Sequence, residues 1–209
     1  MNKKICVIGA GHWGKNHIRT LHSLDCLGGI VDSDKEQRGK FHDEYPEVTI
    51  YSDYRAAAED TFDGFTVATP ANTHYSIAKY LLEQKKPILV EKPLTLTVKE
   101  AREITQIADE NSVNLMVGHV LLFHPAIRRI KDLITEGKIG KLQYIYSNRL
   151  NLGTVRTEEN ILWSFAPHDI SVILHLTGRK PEKIRAFGEA YLQERIYDTT
   201  LTDLTFSDK

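Results

Sequence analysis

Residues Cys6–Leu24 read CVIGAGHWGKNHIRTLHSL: an apolar run of strand length, then glycines at Gly9, Gly11 and Gly14, then a stretch of helical period. The glycines keep the G-x-G-x-x-G spacing, a weak signal by itself because glycine turns between strands and helices are common. A dinucleotide turn asks for this arrangement for three reasons. Gly9 permits the tight turn, Gly11 lets the backbone approach a pyrophosphate, and Gly14 lets the helix pack against the strand. His12 and Trp13 ride on the same turn. The helix expected from about Trp13 to Leu24 places Ile18, Leu21 and Leu24 on one face. Its N-terminus offers N–H groups and a positive dipole end to phosphates.

The next apolar run, LGGIVDSD, brings Asp32 to a strand end eighteen residues after Gly14. A carboxylate there accepts hydrogen bonds from the adenosine ribose hydroxyls and repels a 2'-phosphate, which favours NAD over NADP. Lys35 and Arg38 follow closely and keep NADP open as the alternative.

Outward from this turn, strand-length apolar runs alternate with helical stretches, the βαβ signature of a parallel sheet. KKICVIG, LGGIVDSD, VTIY, FDGFTVATP, KPILVEKP and VNLMVGH read as six strands. Asp34 and Asp53 stand where they can cap the helices that follow, and Thr97 with Glu100 forms a capping-box pattern. A helix is expected over 73–84. After about residue 120 the pattern changes. HPAIRRIKDLITEGKIG reads as an amphipathic helix with Pro125 in its first turn and Gly137 past its end. KLQYIYSNRLNLG alternates like a strand of an open sheet, with Tyr144 and Tyr146 as core or interface residues. APHDISVILHLTG reads as a helix ended by Gly178, and EKIRAFGEAYL and TTLTDLTFSDK as two more strands. The expected division is therefore a dinucleotide-binding domain over 1–120 and an α+β domain over 121–209.

Of the 209 residues, 41% are hydrophobic and 26% charged, ordinary for a globular protein, and the net charge of -1 argues against nucleic-acid or anionic-membrane partners. The nine histidines form no metal-ligand cluster, so no metal is expected. Cys6 and Cys26 make no disulfide framework and fit a reducing cytoplasm. The N-terminus enters a strand within four residues, without a signal-peptide or membrane-spanning run, so a cytoplasmic location is expected.

In an open α/β sheet the ligand lies outside the carboxyl ends of the strands. The fourth strand ends in ATPANTH, offering Thr69, Pro70, Asn72 and His74. The fifth ends in Glu91, Lys92 and Pro93, and the sixth in His119. Glu-Lys-Pro brings an anion and a cation to the edge where a nicotinamide would lie.

GAGHWG, ATPANTH, EKP and the later APHDIS together resemble the glucose–fructose oxidoreductase, inositol dehydrogenase and rhizopine-catabolism (Gfo/Idh/MocA) family. Within it, SNRLNLG followed by EENILWSFAPHDIS is similar to the branch acting on nucleotide-linked sugars. The resemblance implies a Rossmann-type doubly wound parallel sheet followed by a partial α+β domain with an open, mostly antiparallel sheet. That sheet would carry substrate and build homodimers or homotetramers. Because family chains run past 300 residues, the resemblance implies that this chain stops inside its second domain. It implies hydride transfer between a sugar carbon and the nicotinamide, with Lys92 as base or polariser of the alcohol oxygen. Burial and a cationic ring would lower a lysine pKa toward working pH. His168 matches the family histidine, whereas Ser164 stands where the family commonly has an Asp. A serine cannot accept a proton as a carboxylate does, so more of the burden falls on Lys92 and His168. His168 is expected in a first helical turn, where the dipole disfavours its charged form, with Asp169 beside it.

Arg149 and Arg156 are candidates for a diphosphate or uronate. Asn151, Asn160 and Trp163 are candidates for sugar hydroxyls and a ring face, with His119 and His124 lining the cleft. The leading expectation is an NAD-dependent dehydrogenase of a UDP-linked amino sugar or uronate. A free cyclic polyol or aldose dehydrogenase is the alternative, and a dinucleotide-binding protein without turnover is a third reading.

Overall fold

Strand β1 (Ile5–Ile8) forms where the apolar run has somewhere to go on both faces. Cys6 and Ile8 join one core cluster with Val31, Phe65 and Leu81, while Val7, between them, joins a second with Ile18, Ile30 and Phe41. Successive side chains of a strand point to opposite faces, so a strand buried on both sides needs apolar residues throughout. Each fully buried side chain of this size contributes about 1.5–3 kcal/mol. Burial also pushes the Cys6 thiol far above its ordinary range, leaving it an inert packing group.

A computed structural model describes residues 3–150, 155 and 160–207. The chain divides into two compact units, Met1–Gly118 and His119–Lys209. The first holds β1 with β2 (Leu27–Val31), β3 (Thr49–Tyr51), β4 (Gly64–Val67), β5 (Ile88–Val90) and β6 (Leu115–Val117). All pair in parallel in the order β3-β2-β1-β4-β5-β6. This is the doubly wound dinucleotide-binding order, and its reversal between β1 and β4 opens a crevice at the carboxyl ends of the strands.

The intervening helices are α1 (Gly14–Ser23), α2 (Lys35–Glu44), α3 (Tyr54–Ala58), α4 (Ala71–Glu83) and α5 (Val98–Glu110). Their starts follow local chemistry. Asp34 accepts from the N–H groups of Glu36 and Gln37, and Asp53 from that of Arg55. Thr97 and Glu100 close the reciprocal capping box. Helix α4 begins at Ala71 rather than Thr73, with Pro70 at its N-cap fixing the entry angle.

The second unit holds a 3-10 turn at Val120–Phe123, helices α6 (Pro125–Thr135) and α7 (Ile161–Thr177), and an antiparallel pair of β7 (Lys183–Glu189) and β8 (Thr199–Thr205). His124 caps α6, its Nδ1 accepting from Ala126 N at 3.1 Å. Two expectations are corrected here. Residues 141–150 form no strand, and Tyr144 and Tyr146 are exposed rather than core. Their alternation is of the right kind, but a ladder needs a partner, and no described strand pairs with this segment. Helix α7 starts at Ile161 rather than near Ala166, because Asn160 Oδ1 accepts from Trp163 N at 3.1 Å and caps it upstream. Pro167 then lies inside the helix, where its missing N–H leaves Trp163 O without the usual i+4 donor. Among the described residues no helix is long and apolar enough to cross a membrane.

Candidate functional site

The glycine turn sits at the carboxyl end of β1, and each of its glycines meets a different need. Gly9 has φ 91°, and a Cβ there would lie 2.8 Å from the Ala68 carbonyl oxygen. A Cβ on Gly14 would lie 1.8 Å from the Gly9 carbonyl oxygen, so only a bare Cα lets α1 approach the turn. A Cβ on Gly11 would meet nothing within 4 Å: here the backbone faces open space. Beside it, His12 and Trp13 are exposed, and Trp13 is the N-cap residue of α1.

Asp32 stands just past β2. Its Oδ2 accepts from Ala10 N at 2.8 Å and its Oδ1 from Asp34 N at 2.9 Å. The carboxylate thus fixes the turn to the next strand end, and each oxygen keeps lone-pair capacity for ribose hydroxyls. Arg38, the cation that kept NADP open, donates from Nη1 to the carbonyls of Asp32 and Ser33 at 2.9 and 2.8 Å. The open face over Gly11, the N-terminus of α1 and the carboxylate of Asp32 together fit a dinucleotide.

Along the same edge, Pro70 and Asn72 are exposed at the start of α4. Thr69 Oγ1 accepts from Thr73 Oγ1 at 2.7 Å. His74, expected at the cofactor, is instead 1% exposed, with Nδ1 2.8 Å from Pro93 O and Nε2 2.9 Å from Thr69 O. Its position four residues into α4 turns the ring inward, where it braces the Thr69 and Pro93 turns against each other.

Lys92 is half-buried just beyond β5, and its peptide bond to Pro93 is cis. Glu91 beside it is buried, its Oε1 accepting from His17 Nε2 at 2.7 Å and its Oε2 from Lys92 N at 3.3 Å. Burial works to raise the Glu91 pKa. Hydrogen bonds from His17 and the Trp13 indole, the His17 charge and the Lys92 N–H outweigh it and hold the carboxyl below its ordinary 4.5. A depressed folded-state pKa contributes stability that is present above about 4.5 and lost as pH falls through the lower folded value. In Glu91→Gln the loss of melting temperature on acidification below about pH 4.5 is expected to be shallower than in the parent. Thermal melts stepped through the acid range check this.

In the second unit, His119 precedes the 3-10 turn and accepts from Leu122 N at 3.0 Å through its carbonyl. Ser164 and His168 lie four apart on α7, hence on one face, with Ser164 1% exposed and His168 half-buried. His168 and Asp169 are the eighth and ninth residues of α7, not first-turn residues, so the dipole argument for a neutral imidazole does not apply. Trp163 is 39% exposed in the first turn. Arg149 donates to Asp169 from Nε at 2.7 Å, and Ser147 Oγ donates to the same carboxylate at 2.7 Å. The guanidinium proposed for a substrate anion therefore has a protein anion beside it. Asn151 and Arg156 lie outside the described residues.

His17 and Asp169 were not expected at these places. His17 falls three residues after Gly14 on the helix, but nothing local announces a partner 74 residues away.

Residues 3–119 match the model described as the oxidoreductase family with an NAD-binding Rossmann fold, and residues 127–209 match the GFO/IDH/MocA C-terminal domain. The UDP-N-acetylglucosamine 3-dehydrogenase of Acidithiobacillus ferrooxidans is 28% identical over 90% of this chain and 59% of its own length. Its solved structure superposes with a TM-score of 0.85 at 26% identity, over 97% of this chain and 63% of that one. The D-xylose 1-dehydrogenase [NADP(+)] of Haloarcula marismortui is 32% identical over 69% of this chain and 42% of its own length. The chain thus spans about six-tenths of the first relative's length.

Proposed function

The chain belongs to the GFO/IDH/MocA oxidoreductase family, and from that premise we propose that it works as an NAD-dependent dehydrogenase of a nucleotide-linked sugar, a UDP-linked amino sugar or uronate. The observation that carries the reading is Lys92 at the end of β5, on the sheet edge that also bears the glycine turn and Asp32. NAD, when bound, supplies the hydride acceptor. Gly9, Gly11 and the N-terminus of α1 take the pyrophosphate, and Asp32 takes the adenosine ribose. Thr69, Pro70 and Asn72 border the same edge. Lys92 Nζ takes the hydroxyl proton as the C–H bond breaks, or polarises the oxygen. In the second unit, His168 is the candidate for orienting a substrate hydroxyl and Trp163 the candidate for offering a ring face. His119 and Arg149 lie with them in the second unit, and Ser164 takes no proton. The nucleotide-sugar reading is supported by the UDP-N-acetylglucosamine 3-dehydrogenase relative. A free aldose is the second reading, supported by the relative named for D-xylose. Cytoplasmic location and a homodimer or homotetramer formed through the β7–β8 sheet go with the proposal. That sheet exposes Ile184, Phe187 and Leu201.

NADH formation, followed by absorbance, decides between the readings with UDP-sugars, inositol and free hexoses and pentoses as substrates. Reduction with UDP-sugars alone is the expected result. NAD binding without reduction by any sugar overturns the catalytic reading. Cofactor choice has its own test. Asp32→Ser removes the carboxylate that repels a 2'-phosphate and is expected to shift the NAD:NADP affinity ratio toward NADP by about tenfold or more. Titration with both dinucleotides measures it.

A further inference from the structure

Glu91 is 7% exposed and enclosed on three sides. On one side His17 Nε2 reaches its Oε1 at 2.7 Å, with the two side chains 25% and 10% exposed. On another side the carboxylate folds back onto the Lys92 N–H. On a third, a Cβ at Gly118 would come within 3.0 Å of both carboxylate oxygens and their carbon. The chain thus leaves Gly118 bare where the carboxylate packs at the end of β6, and Gly118 N is itself tied to Val90 O at 2.8 Å. Each carboxylate oxygen accepts from a protein donor, and with its side chain only 10% exposed the group is largely closed to a ligand.

The two ends of this bracket matter. His17 stands on α1, three residues beyond Gly14, on the helix that the glycine turn opens. Lys92 stands on the turn after β5. A buried carboxylate with one partner removed is costly to leave in place, so the pair holds its geometry firmly. We propose that His17 and Glu91 are positioning residues: they lock the backbone of Lys92 to the helix of the glycine turn and set the direction of its side chain, and neither binds the dinucleotide. The assignment rests on Lys92 as the reacting group, and it moves Glu91 from cofactor ligand to internal support.

The test reads the bracket in the ligand-free protein. Amide exchange followed by mass spectrometry over the Lys92 turn is compared for the parent, His17→Ala, Glu91→Ala and His17→Gln. The alanine variants are expected to speed exchange at Lys92 by about tenfold or more, because its N–H loses a fixed acceptor. The glutamine variant, which still offers a donor to Glu91, restores most of the protection. The dissociation constant for NAD stays within about threefold in all of them, while kcat in the alanine variants falls by about a hundredfold with KM for NAD little changed. Should an alanine variant fail to fold, Glu91→Leu, which keeps apolar bulk and offers no acceptor, replaces it with the same expectation. Unchanged exchange at Lys92 overturns the proposal, as does NAD affinity falling about tenfold or more, which makes the pair cofactor ligands. If no sugar is turned over by the parent, the catalytic reading fails on its own, and exchange with NAD affinity still decides the bracket.

Discussion

Under the proposed function, a Lys92→Met variant is expected to lose about a thousandfold in sugar-dependent NADH formation, while still binding NAD within about threefold. The argument is one of proton accounting. The hydroxyl must give up its proton as the C–H bond breaks, and a positioned base contributes about a hundred- to ten-thousandfold. Ser164 offers no carboxylate to share the work, and His168 sits in the middle of α7, in the other unit of the chain. Methionine keeps the length and apolar stem of lysine and removes only the amine. Single-turnover NADH formation, measured beside NAD affinity, separates loss of chemistry from loss of binding. Turnover within about tenfold of the parent assigns the base elsewhere, and His168→Ala is then the next variant to measure.

The second large effect comes from comparing two glycines three residues apart. Gly14→Ala puts a methyl group 1.8 Å from a backbone carbonyl that no rotamer change can move. The turn and α1 must separate, at an expected cost of about 3 kcal/mol or more, and NAD binding is lost with the geometry. Gly11→Ala meets no protein atom within 4 Å, so melting temperature is expected to stay near the parent's. Its methyl group would occupy the open side that the proposed function assigns to the pyrophosphate, and NAD affinity is expected to fall by about tenfold or more. Thermal melts and NAD titration on both variants check the pair. Equal effects on stability would remove the distinction between a packing glycine and a ligand-facing one.

Much of the first unit was legible because its signals are local. A strand buried on both faces shows itself as an unbroken apolar run, as at Cys6–Ile8, and a helix start shows itself as a side chain that can reach its own first turn. Asp34, Asp53 and the Thr97–Glu100 box act within three residues of where they stand. The second unit was harder for the same reason inverted. Whether 141–150 becomes a strand depends on a pairing partner, which alternation cannot supply. The start of α7 was masked by Pro167, which reads as a first-turn proline although Asn160 caps the helix seven residues earlier.

The order of side chains alone determined the parallel sheet, the glycine turn, the carboxylate at the end of β2 and the lysine at the end of β5. Each of these is written in adjacent residues whose periodicity or spacing is the physical requirement itself. Tertiary structure alone decided which polar residues of that edge face outward and which hold it together. His74 is turned in to brace two carbonyls, and Glu91 is turned in to meet His17, a residue 74 positions away. Burial and hydrogen-bond partnership are properties of neighbours in space, and the sheet brings those neighbours together only once β1, β4, β5 and β6 have paired.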